Sequence, residues 1–489
     1  MPLKHTHLIP ILLLLALGAC SSAPPKTDEA PAKTEAPATK QQIHEPSQET
    51  VRPEPVSEPD TQQETIAEIP PFQFDSGLPS TGLPQFRGNN THTYYGTGPF
   101  PATEPEVVWK FKTDVFIKGK KKLEWQGLGW TGQPAVVQED VEGEKRWVVY
   151  LASLDGNLYK LDLLTGRLLL KSKENYTIFK SSPTVTDKYV LAGSWNNKEH
   201  IFDRYTFEEV GFEEAVYTKS ASYDFDGSAR VEDGFIYIGG EDGYIRKLSA
   251  TPPFTRQWIY PLKEPSSRFK YKNGKPYVGI ESSIAIYKDI VIVGSGSGYL
   301  IFVDKNTGKL LHKFDTGDDT DASPVVDEEN GFVYIGVEKD NSDKPGGVYK
   351  LNMKAEVQWF FEVGKEGVYG TPALRDDKLF VPGDDSFLYC LDTKTGEKIW
   401  RQRLPDSSWS SPVVIDDKVM IGDYAGYLSA FSTQKGYPVW QKKFDGYIVS
   451  TPAVWNGIIV VGSRDGYIYA LADQSRAAAM RAHFAKNSD

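Results

Sequence analysis

The stretch Trp409 to Trp440 reads WSSPVVIDDKVMIGDYAGYLSAFSTQKGYPVW, and its reading decides the fold. Four short runs follow one another: Ser411 to Ile415, Val419 to Gly422, Tyr427 to Ser432, and a last one opening at Pro438 and running on to Phe444. Each is rich in Val, Ile, Tyr or Trp with roughly alternating character. Asp416-Asp417, Asp423 to Gly426 and Gln434 to Gly436 supply the breaks between them. A lone four-stranded sheet of this size cannot bury both faces, so it requires copies of itself on either side.

Working outward, a small residue followed by proline or an equivalent opens the first strand of each copy. The markers are Gln133-Pro134, Ser182-Pro183, Ser228-Ala229, Ser283-Ile284, Ser323-Pro324, Thr371-Pro372, Ser411-Pro412 and Thr451-Pro452, with spacings of 49, 46, 55, 40, 48, 40 and 40 residues. That makes eight units of a repeat architecture. A turn-and-strand element recurs in them, as DGNLYKLD at Asp155, EDGYIRKLS at Glu241, GSGYLIFVD at Gly296, PGGVYKLN at Pro345, DSFLYCLD at Asp385, AGYLSAFS at Ala425 and DGYIYALA at Asp465. Glycine there permits a positive φ, and the alternating apolar residues after it supply a buried face. The second unit is degenerate, with WNNKEHIFD from Trp195. A fourth strand follows a TG-like turn, most clearly in DTKTGEKIW, Asp392 to Trp400, and Trp258, Trp359, Trp400 and Trp440 mark one place in their units.

The last unit ends at Leu471 without a fourth strand, whereas EPEVVWKF, Glu104 to Phe111, is a fourth strand without a unit. The early strand is therefore expected to complete the blade begun at Pro452, removing an open sheet edge. The predicted fold is all-β, an eight-bladed β-propeller of four-stranded blades over residues 104–473, ring-closed by the N-terminal strand. QSRAAAMRAHFAK reads as a short helix within the tail 474–489.

Ahead of the ring, residues 1–19 read as a secretory signal peptide: Lys4, then an apolar run from Leu8 to Leu17. Leu17-Gly18-Ala19-Cys20 matches the lipobox of bacterial lipoproteins, which marks Cys20 for acylation, and Ser21-Ser22 in place of an aspartate after it implies, by resemblance to enterobacterial lipoproteins, sorting to the outer membrane. Residues 20–71, dominated by Pro, Ala, Glu, Thr, Lys and Gln, cannot bury enough apolar surface to offset their ordering entropy and read as a disordered tether. Such a coil spans roughly 40 Å. Residues 72–103 are an irregular aromatic lead-in, with FRGNNTHTYYGTGPFP from Phe86 to Pro101 read as ordered coil packed on a surface.

The chain of 489 residues carries a net charge of -11, which argues against nucleic acid as a partner, since that needs a basic field. Outside the first twenty residues no uninterrupted apolar run is long enough to cross a bilayer.

The glycine-turn strand, the TG turn and the blade tryptophan together resemble the PQQ-type β-propeller repeat, over about residues 104 to 471. Two families use it: quinoprotein dehydrogenases and BamB-type lipoproteins of outer-membrane β-barrel assembly. Eight blades, a lipobox and no added domain look more like the second. That resemblance implies a non-enzymatic, monomeric, lipid-anchored periplasmic scaffold with no cofactor, docking an envelope protein such as the barrel-inserting channel protein. The alternatives are a PQQ-dependent periplasmic oxidoreductase with calcium, and a carbohydrate-binding propeller. Quinoprotein alcohol dehydrogenases have an adjacent cysteine pair above the quinone, whereas Cys390 stands alone on an alternating strand and reads as a small core residue.

Three residues before each marker's second position, the chain should ring the mouth of the central channel. That offset gives Thr131, Lys180, Asp226, Glu281, Asp321, Tyr369, Trp409 and Val449. One side is expected to be acidic and the other aromatic, a place for a cation, a sugar or a basic peptide. Asp224 to Gly227 and Gly317 to Asp321 resemble calcium loops but lack the glutamate that would complete an EF-hand, and read as solvated turns. The long insertion Glu264 to Gly279 is locally basic, and Arg268, Phe269, Lys270 and Tyr271 are candidates for a docking loop.

Overall fold

A computed structural model of the chain describes residues 82–118, 123–129, 132–173, 177–217, 222–262, 277–364 and 367–486. All of them fall in one compact unit, Glu68–Asp489. The signal peptide, Cys20, the tether, the first part of the lead-in, Thr131 and the docking-loop residues Arg268, Phe269, Lys270 and Tyr271 lie outside the described residues.

Eight antiparallel sheets form the blades of a propeller. In the seventh blade the strands are Val413–Ile415, Lys418–Gly422, Tyr427–Ser432 and Pro438–Lys443, paired in sequence order. The first strands of successive blades touch one another, so they line the axis. The middle strands are buried and the fourth is half-exposed, which is why the sequence alternates least in the middle of each unit.

The TG turn and the blade tryptophan are two halves of one contact. The Asp392 carboxylate accepts the N–H groups of Lys394 and Thr395, and Gly396 follows with φ +74°. A Cβ on Gly396 would lie 2.7 Å from the Trp359 ring of the preceding blade, so only glycine lets the indole lie flat on the turn. The indole N–H then donates to a carbonyl of that turn: Trp258 to Lys305, Trp359 to Thr393 and Trp400 to Thr433, each at 3.0 Å.

Ring closure follows the expectation. Glu106–Lys112 pairs with Tyr467–Ala472 as the fourth strand of the last blade, and Trp109 donates to Leu163 O of the first blade at 2.9 Å. The last blade has no TG turn to receive Trp440. Its place is taken by the lead-in: Phe100 stacks on Trp440 at 5.5 Å, and Pro101 O accepts the indole N–H at 2.9 Å.

The lead-in departs from its expected place on a surface. From Gly82 to Pro101 it runs as a strap across one end of the channel, with Arg87, His92 and Tyr95 wholly buried. Gly82–Leu83 adds a short fifth strand to the first blade. Pro84 O, Asn90 O, Thr91 O and the Tyr95 hydroxyl accept the N–H groups of Val185, Ile286, Val326 and Leu374. These first strands are the edges of their sheets, so amides on the axis side have no strand of their own sheet to bond, and buried amides require a partner. The strap supplies it.

A second set of bonds circles the axis. The N–H of six successive markers donates to the hydroxyl of the next blade's marker: Gln133 to Ser182, Ser182 to Ser228, Ser228 to Ser283, Ser283 to Ser323, Ser323 to Thr371 and Thr371 to Ser411, at 2.8–3.0 Å. Cys390 is a buried core residue whose thiol is pushed up to about 12 by burial. The helix Gln474–Lys486 packs Ala477 and Met480 against the closing blade.

Ser283→Ala should leave the Ser228 amide buried without an acceptor and lower stability by about 1–3 kcal/mol, whereas Ser283→Thr retains the bond. Thermal denaturation of the two variants checks this, and equal melting temperatures would refute it.

Candidate functional site

All eight inner strands run the same way along the channel, so the residues just before them gather at the end away from the strap. A backbone bond fixes each loop there. The first or second residue after the second strand donates its N–H to the loop before the first: Leu154 to Gly127, Trp195 to Ile178, Glu241 to Asp224, Gly296 to Gly279, Glu338 to Asp319, Asp384 to Gly367, Tyr424 to Ser407 and Arg464 to Tyr447, at 2.8–3.1 Å. Two stacked rings of side chains result, and the offset used above captures only one of them.

Lys180, Asp226, Glu281 and Asp321 come together on one side. Lys180 is buried, ion-paired with Asp226, and 4.0 Å from Glu241. Glu281 accepts the Tyr277 hydroxyl, and the Asp321 N–H donates to Glu338 at 3.2 Å. On the other side Tyr369 stacks on Trp409 at 4.7 Å and 17°, its hydroxyl donating to Asp340, while the Trp409 indole donates to Asp384 at 3.1 Å. From Trp409 the aromatic arc continues through Tyr424 to Tyr447, then by the Arg464 guanidinium to Trp125, Trp195 and back to Lys180. Val449 is buried and adds no polar group.

The calcium-like loops are not the solvated turns expected of them. Asp226, Asp318 and Asp319 are buried, because eight blades converge where these loops lie. Asp318 is consumed locally by the N–H groups of Asn341 and Ser342. The others form two carboxylate groups whose oxygens lie within 4.8 Å of one another: Asp226 with Glu241 and Glu281, and Asp319 with Asp321 and Glu338. Asp321 Oδ1, shielded from solvent, has no hydrogen-bond partner among the described residues.

Glu241, Glu281, Asp319, Asp321 and Glu338 are all raised above the ordinary carboxyl range, first by burial and then by their acidic neighbours. Burial works against the charge of Lys180, but Asp226, Glu241 and Glu281 outweigh it and raise the ammonium. One lysine among so many carboxylates leaves negative charge that protons or a cation must compensate. Oxygen donors in this number suit a hard divalent cation.

Glu241, Glu338, Asp384, Tyr424 and Arg464 escaped the sequence reading. They share a signal, the second residue after the Gly of GG-E, GV-E and GD-Y or its equivalent at the end of each second strand, and aligning the repeats at that point recovers the second ring.

A family model described as outer membrane protein assembly factor BamB matches residues 343–441 and 384–479. The quinoprotein alcohol dehydrogenase PedE of Pseudomonas putida is 29% identical over 161 residues, which are 32% of this chain and 24% of that one. The match thus spans about a quarter of the relative. BamB from Moraxella catarrhalis aligns with a TM-score of 0.57 at 15% identity, covering 75% of this chain and 99% of its own. Quinohemoprotein alcohol dehydrogenase from Comamonas testosteroni gives 0.57 at 12% identity, covering 81% of each chain. Both structural likenesses are likenesses of fold.

These findings correct two expectations, that the protein is no enzyme and that it takes no cofactor. Quinoprotein dehydrogenases share its repeats in sequence as well as in fold. The lone Cys390 weighed against an enzyme in the sequence, but a buried strand position says nothing of a centre assembled from loops of several blades.

Carboxyls raised in the fold bind more protons folded than unfolded, so they take stability away as pH rises from their ordinary range through their raised values. In EDTA, the melting temperature of Glu338→Gln relative to the natural protein should therefore rise between pH 4 and pH 8, and calcium should abolish that difference. A difference that stays flat with pH would refute the cluster's strain.

Proposed function

Starting from a propeller whose repeats are of the PQQ type, we propose that the chain is a cofactor-dependent oxidoreductase of the cell envelope, with its reaction centre at the channel mouth. One observation carries this reading: carboxylate groups able to hold a divalent cation face a stacked aromatic wall across the same opening.

A quinone of the pyrroloquinoline type is flat and carries carboxylates of its own. The Tyr369–Trp409 wall matches its flatness, and the acidic wall opposes its charge unless a cation stands between them. Asp226, Glu241 and Glu281 would hold that cation, with Lys180 fixing Asp226. The cavity enclosed by Phe86, Asp321, Tyr369 and Trp409 measures about 10 Å³, no more than a water, so a quinone belongs to the open mouth and not behind the wall. When bound, such a quinone supplies a two-electron acceptor. Asp321, whose Oδ1 has no hydrogen-bond partner among the described residues, is suited to take a proton from a substrate hydroxyl once a bound cation offsets its acidic neighbours.

The match of residues 343–479 to the BamB model supports a second role on the same body, in which the outer faces of the later blades dock a protein partner in outer-membrane assembly. The lipobox at Cys20 supports a lipid-anchored location for either role.

Adding pyrroloquinoline quinone and calcium together should shift the quinone's absorbance. The shift should vanish with EDTA and in Glu281→Gln. An unaltered spectrum with both present would remove the quinone centre. In cell fractions, Cys20→Ser should move the protein from the membrane pellet to the soluble periplasm, and persistence in the pellet would refute the anchor.

A further inference from the structure

The far end of the channel has the opposite electrostatic character. Arg230 opens the inner strand of the third blade and is wholly buried. Its Nε donates to Ile284 O at 3.0 Å, while Nη1 and Nη2 are shielded from solvent and have no partner among the described residues. Arg87 enters from the strap, equally buried, its Nη2 donating to Thr371 O at 2.7 Å and its Nε and Nη1 likewise unsatisfied. The face of its guanidinium lies 4.9 Å from the Tyr95 ring, which covers the plane but leaves the edge donors unmet.

His92 sits with them. Its Nδ1 lies 2.5 Å from Pro324 O, and a carbonyl only accepts, so Nδ1 carries the proton and Nε2 is left as a bare, unpartnered lone pair. Ile284, Thr371 and Pro324 stand at the openings of the fourth, sixth and fifth blades, so the three side chains are fastened at one level of the channel to consecutive blades. Burial and both guanidiniums hold the His92 ring well below its usual range, which keeps it neutral.

Two positive charges are therefore enclosed with no ion pair to a carboxylate among the described residues. Burial lowers Arg230 to about 9 and Arg87 to about 10, which still leaves both protonated at neutral pH. Trapped water would satisfy the four bare donors but not the charge, and an uncompensated buried charge is far costlier than an unmet hydrogen bond. A small anion answers both needs. Phe86 lines the small cavity beside Asp321 and Tyr369 and its ring also meets Arg87 and His92, and Asp321 makes no ion pair with either arginine among the described residues.

We propose that Arg87 and Arg230 bind a buried monovalent anion of chloride size between the strap and the inner strands of the third to sixth blades. The anion fastens the strap across the channel. Its donors come from the strap on one side and the ring on the other, so binding requires the strap in place and stabilises it there.

Crystals of the full chain grown with bromide in place of chloride should show an anomalous peak within hydrogen-bond reach of Arg87 and Arg230. At constant ionic strength the melting temperature should be higher in chloride than in gluconate, and Arg230→Met should lose that difference. A water, or a carboxylate from the residues before Gly82, in place of the bromide peak would overturn the proposal. A bromide peak without any chloride effect on melting would mean an adventitious ion only, and would overturn the fastening role.

Discussion

The N–H of each marker residue, at the head of an inner strand, lies beyond the end of its own sheet's ladder and out of reach of water. In six successive blades the hydroxyl of the next marker accepts it. An unmet amide there costs about 1–3 kcal/mol, so the bond acts as a requirement on sequence more than as a bonus. It explains why a serine or threonine recurs at the markers, and it sets the angle at which each blade meets the next. Two markers depart from this pattern: the Thr451 hydroxyl has no hydrogen-bond partner among the described residues, and Gln133 carries an amide in place of a hydroxyl. Its side chain accepts the Arg87 N–H and donates to Pro452 O, tying the strap, the first blade and the last at the point where the ring closes.

That spacing in turn fixes the chemistry of the mouth. With the inner strands held in register, loops from eight blades are pressed together, and whatever charges they carry must share a poorly solvated space. Carboxylates from the third, fourth and fifth blades meet around Lys180, and aromatic residues from the sixth and seventh blades meet one another. The acidic side is a strained arrangement, with five carboxyls raised by burial and by one another. Strain of this kind is tolerated where a ligand relieves it, which favours a cation-dependent site over a decorative one. At the other end of the channel the strap brings in Arg87 and the third blade contributes Arg230, while Phe86 lines the small cavity beside Asp321 and Tyr369.

The fold was legible because each of its demands acts locally. The glycine of the TG turn must clear the tryptophan of the blade before it, so the two recur together along the chain. Glu104 to Phe111 was legible as the closing strand because a missing fourth strand and a spare one could be counted. The candidate site was half legible: the offset from the markers reached Lys180, Asp226, Glu281, Asp321, Tyr369 and Trp409, and missed the second ring, which follows a different landmark in the repeat.

Sequence by itself thus determined the number of blades, their strand order and the way the ring closes, since those follow from periodicity and from contacts between neighbouring repeats. Only the tertiary structure decided that Asp226 and Asp319 are buried instead of solvated, and that Phe86, Arg87 and His92 enter the channel instead of lying on a surface. The physical reason is convergence: burial at the axis depends on eight distant segments meeting at once, and no local pattern in any one of them records that meeting.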